Sequence, residues 1–266
     1  MKIVAINGFN SYIGKNFRHK YNKKYKILHY KENINNFSKF KLFTKQNKFN
    51  YFIHFASLSR SECETKKVLC KKTNYLSLKK IIKHFNNYKI KPKFIFLSSS
   101  HVYNNSNIKL KETHKKKPDN LYGKLKLDSE NYIKNNYENY CILRIFNVYG
   151  NNQPENFFIP DVEKKIKNNK IIKLNKSIRD FIHINDVIKI IGFVINKNLY
   201  DVFNVGSGKS TNLSSLVKVI SKKIKIKPII IIKNRSDKLV ANIEKLRSAG
   251  YKNKISSINK KTYTSK

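Results

Sequence analysis

The sequence predicts an α/β fold built as a doubly wound parallel sheet. Through the first half of the chain, short apolar runs alternate with segments of helical periodicity, which is typical of parallel strands joined by helical crossovers. Glycine is scarce, with eight in 266 residues. Six of them lie in candidate loop motifs, where a backbone needs positive φ or a close approach: Gly8, Gly14, Gly123, Gly150, Gly206 and Gly208.

Each predicted strand of the first half is a short apolar run, and a helical segment follows most of them. The strands are expected at residues 2–6, 25–30, 51–55, 93–97 and 140–145. The helices are expected at residues 12–21, 37–46, 66–86 and 119–135.

Beyond residue 150 the elements become shorter. Helices are expected at residues 161–168, 185–196 and 213–223, and strands at 171–174, 202–205 and 228–232. We therefore expect a region 1–150 and a smaller region 151–266 that is interleaved with the first.

The composition is that of a globular protein, with 40% hydrophobic and 12% aromatic residues, which excludes the disordered class. No run approaches the ~20 apolar residues of a bilayer span, and the N-terminus lacks the pattern of a signal peptide. We expect a soluble cytoplasmic protein without membrane contact. The three cysteines have no C-x-x-C spacing, so we expect packed, reduced thiols and neither a disulfide framework nor a metal site.

The net charge of +41 raises the question of nucleic-acid binding. Two observations weaken that interpretation. Only six of the 57 basic residues are arginine, the better donor for bidentate recognition, and the lysines are spread along the whole chain. The charge is therefore interpreted as a solvated surface that raises the local concentration of small anionic ligands.

The first predicted strand leads into Asn7-Gly8-Phe9-Asn10-Ser11-Tyr12-Ile13-Gly14 and then into a helix. A tight glycine turn between a strand and a helix N-terminus presents backbone amides to a pyrophosphate. The side chain of Ser11 is also expected to cap the helix.

A second motif combines the serine-rich end of the fourth strand with Tyr122 and Lys126 at the start of a predicted helix. Residues four apart share one helical face, so the ammonium can lie beside the phenol and lower its pKa. A strand-end serine would share the same substrate oxygen, which gives a proton-transfer device. Tyr75 and Lys79 repeat the spacing, but only Tyr122 follows a serine-rich strand end and a helix-starting proline.

With these motifs the chain resembles an extended short-chain dehydrogenase/reductase of the NAD-dependent epimerase/dehydratase family, whose members have a Rossmann fold and mostly act on nucleotide-sugars. Eight sequence blocks carry the resemblance, in the family's order and over nearly the whole chain. They are residues 8–14, 52–57, Asn74, and residues 98–103, 122–126, 143–150, 179–186 and 203–208.

The resemblance implies that Tyr122 is the catalytic acid/base, that Lys126 holds the nicotinamide ribose and tunes Tyr122, and that Ser99 is the catalytic hydroxyl. His101 stands where the similar 4,6-dehydratases carry a glutamate, which makes dehydration less favoured. Its imidazole either moves a proton on the sugar or is a packed histidine without a chemical step.

The resemblance also implies a set of binding residues. The cofactor would be held by Gly8, Ser11, Tyr12, Ile13, Gly14, His54, Ala56, Ser57, Asn74, Tyr122 and Lys126, within the region 1–150. The substrate would be held by Asn147, Arg179 and Arg235, since an arginine fork suits a diphosphate.

The cofactor is expected to be NAD or NADP. The second strand ends in Leu28-His29-Tyr30-Lys31, without the acidic residue that NAD-preferring members use for the ribose hydroxyls. Lys31 favours NADP, whereas Glu32, one residue further on, would serve NAD if the turn differs.

The expected function is therefore an epimerase or keto-sugar reductase acting on a nucleotide-sugar, as a homodimer formed through the helices at 66–86 and 119–135. Two alternatives remain open. One is a non-catalytic dinucleotide-fold protein that binds RNA through its basic surface, and the other is an inactive relative with trimmed substrate loops.

Overall fold

The computed structural model describes residues 1–258 and divides the chain into two compact units. The first unit comprises Met1–Asn104, Lys115–Arg144 and Ile190–Phe203. The second unit comprises Asn105–His114, Ile145–Lys189 and the described chain from Asn204 onward. Residues 259–266, at the end of the second predicted region, lie outside the described residues.

The first unit contains a six-stranded sheet in the order β2-β1-β3-β4-β5-β9. Its strands are β1 (Ile3–Asn7), β2 (Lys26–His29), β3 (Tyr51–His54), β4 (Lys93–Ser99), β5 (Tyr140–Ile145) and β9 (Asp201–Val205). β1 pairs in parallel with both β2 and β3, and β3 pairs in parallel with β4. The chain winds in one direction from β1 to β2 and in the other from β1 to β3, which confirms the predicted doubly wound sheet.

Helices α1 to α6 belong to the same unit. They are α1 (Tyr12–Tyr21), α2 (Phe37–Gln46), α3 (Arg60–Thr65), α4 (Lys67–Lys71), α5 (Ser77–Asn86) and α6 (Leu121–Asn136). An aromatic core of Phe40, Phe52, Phe85 and Phe94, each fully buried, joins α2 and α5 to the sheet. Within residues 1–258, no helix has the length and apolar character needed to span a bilayer.

The predicted helix at 66–86 lies in the right place but is not continuous. A π-helical turn at Lys72–Leu76 separates α4 from α5. The preceding helix α3 was not predicted, although its start carries a recognisable signal. Ser59 and Glu62 form a reciprocal capping box there, which satisfies two amides that a helix N-terminus leaves without partners.

The second unit holds two smaller sheets, β6-β8 and β10-β7-β11. Its remaining elements are β6 (Asn147–Tyr149), α7 (Phe158–Lys167), β7 (Ile172–Arg179), β8 (Phe181–His183), β10 (Thr211–Asn212), α9 (Leu213–Ile224), β11 (Ile230–Leu239) and α10 (Glu244–Ser248). Helix α8 (Ile184–Lys197) starts in this unit and continues into the first. An apolar cluster from α7, β7 and α9, including Val162, Ile172 and Val217, forms the core of this unit.

The expectation of three reduced thiols is wrong for two of them. Cys63 and Cys70 form a disulfide, with Cα atoms 5.1 Å apart. Residues seven apart in a continuous helix are separated by about 10 Å, but the chain leaves helical geometry at Lys66 (φ −118°, ψ 55°). This break between α3 and α4 brings the two cysteines together. Cys141 is buried and takes no part in this disulfide, in line with the packed thiol that was expected.

Candidate active site

The glycine turn after β1 packs against the loop after β3. Gly8 has φ +61°, and a Cβ at this position would lie 2.4 Å from the backbone nitrogen of Ala56. Because β1 and β3 are neighbours, the two loops meet at the carboxyl edge of the sheet, where the direction of winding reverses. This is where open α/β sheets bind their ligands.

Helix α1 begins directly after this turn. Ser11 caps it, as predicted, by accepting a hydrogen bond from the Gly14 amide at 3.2 Å. Ser11 has extended geometry (φ −63°, ψ 158°), which a residue with a side chain adopts without strain. A Cβ at Gly14 would lie 2.6 Å from the carbonyl oxygen of Gly8, so glycine lets the helix approach the turn.

These features fit the pyrophosphate of a dinucleotide. The first turn of α1 contains no acidic side chain, and a helix N-terminus attracts anions through its amides and dipole. Tyr12 and Ile13 are the first two residues of the helix, so their amides belong to this N-terminus. The turn, the cap and the helix start all come from the segment that the sequence singled out.

Below the turn, Asn7 connects β1 to the end of β3. Its side chain donates to His54 Nδ1 at 2.8 Å and accepts from the Ala56 amide at 3.1 Å. Burial, followed by the charge of Lys126, lowers the pKa of His54 to about 3, so this imidazole is neutral. The His54 ring packs against the rings of Phe94 and Phe96 on β4. The imidazole therefore has a structural role, supporting the loop after β3.

Asn74 supports the next segment of the same loop, which runs on from Ser57. Its side chain accepts from the Leu58 amide at 2.7 Å and donates to the Leu58 carbonyl at 3.0 Å. Its amide also donates to the Cys63 sulfur. The asparagine is 1% exposed, so its side chain fixes the course of the loop.

The structure brings Ser99, Tyr122 and Lys126 together. Ser99 ends β4, and its side chain lies close enough to the phenol of Tyr122, near the start of α6, to influence its pKa. Lys126 lies one turn later, with its Nζ 5.7 Å from the centre of the Tyr122 ring and 2.8 Å from the Leu97 carbonyl oxygen. A strand end and one helix face thus bring a hydroxyl, a phenol and an amine into one cluster.

The electrostatics of this cluster differ from the sequence-based expectation. Burial raises the pKa of Tyr122 to about 12, although the nearby Ser99 side chain opposes the shift. Burial also lowers the pKa of Lys126 to about 7, opposed by the charge of Glu130. The expected lowering of the tyrosine pKa is not found, because the enclosed phenolate loses hydration. Tyr122 is therefore protonated at neutral pH.

His101 lies beside this cluster, in a 3-10 turn at Ser100–Val102. Its ring meets the Tyr122 ring edge to face, with centres 5.8 Å apart. Ser99 accepts a hydrogen bond from the His101 amide at 3.3 Å, which holds the turn against the end of β4.

Arg18, which the sequence analysis did not single out, lies near the end of β2 together with Lys31. Phe9 stacks on His29 with ring centres 5.8 Å apart, and the Arg18 guanidinium lies 5.7 Å from the Phe9 ring. Burial and then the charges of Arg18 and Lys31 lower the pKa of His29. The sequence did offer a signal for Arg18. Arginine is scarce in this chain, so an arginine on α1, close to the glycine turn, points to a binding role.

The predicted substrate residues all belong to the second unit. The Asn147 side chain donates to the Asp180 carbonyl at 3.0 Å. Arg179 pairs with the Asp237 carboxylate, and hydrogen bonds from Arg179 and Ser177 hold the pKa of Asp237 below its usual range despite partial burial. Arg235 is exposed on β11. Both arginines act on the same carboxylate, since the charge of Arg235 also lowers the pKa of Asp237.

Known proteins resemble the chain in sequence and in fold. It is 28% identical over 240 residues to an ADP-L-glycero-D-manno-heptose-6-epimerase of Brachyspira hyodysenteriae, which covers 82% of this chain and 74% of that protein. The structure of a dTDP-4-dehydrorhamnose reductase from Bacillus anthracis in complex with NADP matches with a TM-score of 0.84 and 20% identity, over 97% and 95% of the two chains. That of a Thermus thermophilus UDP-glucose 4-epimerase in complex with NAD matches with a TM-score of 0.82 and 15% identity, over 94% and 93%.

A family model matches most of the chain, from residue 5 to residue 206. This range includes the glycine turn, the loop after β3, and the cluster of Ser99, Tyr122 and Lys126. The chain therefore belongs to the NAD-dependent epimerase/dehydratase family.

Proposed function

We propose that the protein is an NAD(P)-dependent enzyme that epimerises a nucleotide-sugar or reduces a nucleotide-keto-sugar. The observation that carries the proposal is the convergence of Ser99, Tyr122 and Lys126: the Ser99 side chain acts on the Tyr122 phenol, and Lys126 lies one helical turn away. This cluster lies in the same unit as the glycine turn. The relatives and neighbours include sugar-nucleotide epimerases and a keto-sugar reductase, which supports both branches.

In the reductive direction the Tyr122 hydroxyl gives its proton to the substrate carbonyl oxygen while the carbon gains a hydride. In the oxidative direction the deprotonated form of Tyr122, the phenolate, takes the proton of the substrate hydroxyl while the carbon loses a hydride. The bound nicotinamide supplies or accepts that hydride. Ser99 hydrogen-bonds the same oxygen, and Lys126 as an ammonium holds the nicotinamide ribose and stabilises the phenolate.

NADP is the cofactor that the end of β2 favours. Arg18 and Lys31 place two cations near His29, and a ribose phosphate would neutralise them. Glu32, the residue that would favour NAD, forms an ion pair with Lys39 at 3.1 Å. The carboxylate therefore already has a cation of its own.

The remaining assignments belong to the same proposal. His101, beside the Tyr122 ring, is proposed to move a second proton on the sugar, and Asn147, Arg179 and Arg235 are proposed to bind the nucleotide-sugar. The homodimer and the cytoplasmic location are also part of the proposal.

Replacing Tyr122 by phenylalanine tests the central claim. The purified enzyme is incubated with NADPH or NAD⁺ and a panel of nucleotide-sugars and keto-sugars. Net loss of absorbance at 340 nm identifies a reductase, and product without net cofactor turnover identifies an epimerase. Y122F is expected to lower kcat by about 10²–10⁴-fold.

The chain supplies its own control for this variant. Tyr75 and Lys79 have the same spacing, and Lys79 Nζ lies 5.5 Å from the Tyr75 ring. Y75F should therefore retain wild-type activity. Full activity in folded Y122F would refute the assignment, and so would equal losses in the two variants.

The RNA-binding alternative is not favoured, because the relatives are nucleotide-sugar enzymes. This alternative predicts that the purified protein binds RNA and binds neither nucleotide-sugar nor dinucleotide, and both kinds of binding can be measured on the same sample. Tight, salt-sensitive binding of RNA without any binding of nucleotide-sugar or dinucleotide would reverse the preference.

A further inference from the structure

Below Tyr122 and Lys126, the same face of α6 carries a third ionisable residue, Glu130. Residues 122, 126 and 130 are each four apart, and a step of four residues turns a helical side chain by only about 40°. The carboxylate therefore lies about two turns beyond Tyr122 on one continuous stripe of the helix.

Three consecutive residues of β4 contact these three residues of α6. The pairs are the Leu97 carbonyl with Lys126 Nζ at 2.8 Å, the Ser98 hydroxyl with Glu130 Oε1 at 2.5 Å, and Ser99 with Tyr122. A shift of the helix by one residue, about 1.5 Å along its axis, would disturb all three contacts together. The register of α6 on β4 thus fixes the geometry of the cluster.

Glu130 is the most enclosed member of this set. It is 0% exposed, and Arg144 on β5 is 1% exposed. Arg144 Nε donates to both carboxylate oxygens, at 3.0 and 3.1 Å, and a terminal nitrogen donates to Oε2 at 2.6 Å. The other terminal nitrogen donates to the Tyr103 hydroxyl at 2.7 Å. One carboxylate therefore joins α6 to two strands of the sheet.

Glu130 also faces several cations besides Arg144. Lys134 Nζ lies 3.9 Å from the carboxylate, and Lys116 and Lys126 interact with it electrostatically. Its charge opposes the effect of burial on Lys126, whose pKa is lowered to about 7. Without this charge, the ammonium of Lys126 would be lost at still lower pH.

The other groups that face Lys126 do not replace this charge. Tyr122 shares its helix and is protonated at neutral pH. His54, on β3, is neutral, because burial and the charge of Lys126 lower its pKa to about 3. From β4, Lys126 meets the Leu97 carbonyl and the ring of Phe96.

We propose that Glu130 is a positioning residue for Tyr122 and Lys126, which sets the register of α6 through Ser98 and Arg144 and keeps Lys126 in its ammonium form. The proposal rests on the proposed function, in which the ammonium holds the ribose and stabilises the phenolate. A purely structural ion pair would contribute to stability alone.

The test separates charge from stability. E130Q keeps the shape of the side chain and removes its charge, but it leaves the buried Arg144 guanidinium without a carboxylate partner. The double variant E130Q/R144M removes that guanidinium as well, so the buried pair is replaced by two neutral side chains. E138Q is the matched control, because Glu138 is exposed and pairs with Lys91 beyond the end of α6. Each variant is assayed for kcat, KM and melting temperature between pH 5 and 10.

For E130Q we expect kcat at pH 7.5 to fall about five- to tenfold while KM changes less than threefold. The alkaline midpoint of the kcat profile should move to lower pH by about one unit. E130Q/R144M should recover melting temperature and retain the shifted midpoint, whereas E138Q should match the wild type. If either folded Glu130 variant has the wild-type midpoint and kcat, the proposal is overturned.

A second readout separates this proposal from the proposed function. NADPH binding, followed by its fluorescence across the same pH range, does not depend on any sugar substrate. If no nucleotide-sugar is turned over, the proposed function fails. An acid shift in the midpoint for NADPH binding in E130Q/R144M would still support the role of Glu130, and an unchanged midpoint would refute it.

Discussion

Gly123 packs against the carbonyl oxygen of His101, and a Cβ on Gly123 would lie 2.2 Å from that oxygen. The contact brings the first turn of α6 directly against the 3-10 turn after β4. Tyr122 directly precedes Gly123, and Ser99 directly precedes the 3-10 turn. Because Gly123 has no side chain, the segments that carry Tyr122 and Ser99 can approach each other this closely.

Replacing Gly123 by alanine should therefore displace either α6 or the turn that holds His101. We expect a loss of about 1–3 kcal/mol in the free energy of unfolding and a larger fractional loss in kcat than in cofactor affinity. Urea unfolding and steady-state kinetics measure the two effects. G250A is the control, because Gly250 has φ +97° and nothing within 4 Å of the added Cβ, so it carries only backbone strain. Equal kinetic effects in both variants would contradict the packing explanation.

The disulfide between Cys63 and Cys70 closes a short loop beside α6, in a cluster that includes Leu125 and Tyr122. Closing a loop of this length should stabilise the fold by about 2 kcal/mol through the entropy of the unfolded chain. Urea unfolding with and without a reductant should show this difference in the wild type and none in C63A/C70A. Alkylation of the denatured, unreduced protein should modify one cysteine, and modification of all three would contradict the pairing.

Much of the fold and of the cluster could be predicted from the sequence, because the signals are local. An apolar run before a glycine turn defines β1 and α1, and the four-residue spacing of Tyr122 and Lys126 defines a helical face. The strand-end position of Ser99 then brings a hydroxyl to that face.

The features that were missed depend on tertiary geometry. The disulfide requires the break in the helix at Lys66, and the hydrophobic periodicity of the sequence does not predict that break. The position of Arg18 beside His29 depends on Phe9, whose ring lies against both side chains. The raised pKa of Tyr122 follows from burial, which outweighs the opposing effect of Ser99. Such a balance cannot be derived from spacing alone.

Arg18 should decide the choice between the two dinucleotides. Removing its guanidinium in R18A is expected to weaken NADPH binding about tenfold, since a charge-assisted contact to phosphate is lost, and to leave NADH binding within about twofold. Fluorescence titration of both cofactors measures the ratio. K20A, at an exposed position of the same helix, is the control. An equal loss for NADH and NADPH in R18A would contradict a role in phosphate recognition.

The lowered pKa of Lys126 also predicts how stability depends on pH. The buried amine has a pKa of about 7, against 10.5 for an exposed lysine, so between these values the unfolded chain binds more protons than the folded one. Stability contributed by this group therefore rises as pH increases above 7. Burial also lowers the pKa of Lys93, to about 8, so Lys93 likewise makes stability rise with pH. The contribution of Lys126 is therefore measured as the difference in stability between the wild type and a variant that lacks this lysine.

Lys126→Met supplies that variant, because it keeps the length of the side chain and removes the buried charge. We expect K126M to be more stable than the wild type at pH 6, and the advantage to shrink by at least ~2 kcal/mol by pH 9, because the wild-type lysine becomes neutral over that range. Urea unfolding at half-unit intervals of pH measures the difference. An advantage that stays constant across the range would mean that Lys126 titrates alike in the folded and unfolded chains, and the buried ammonium would then be disproved.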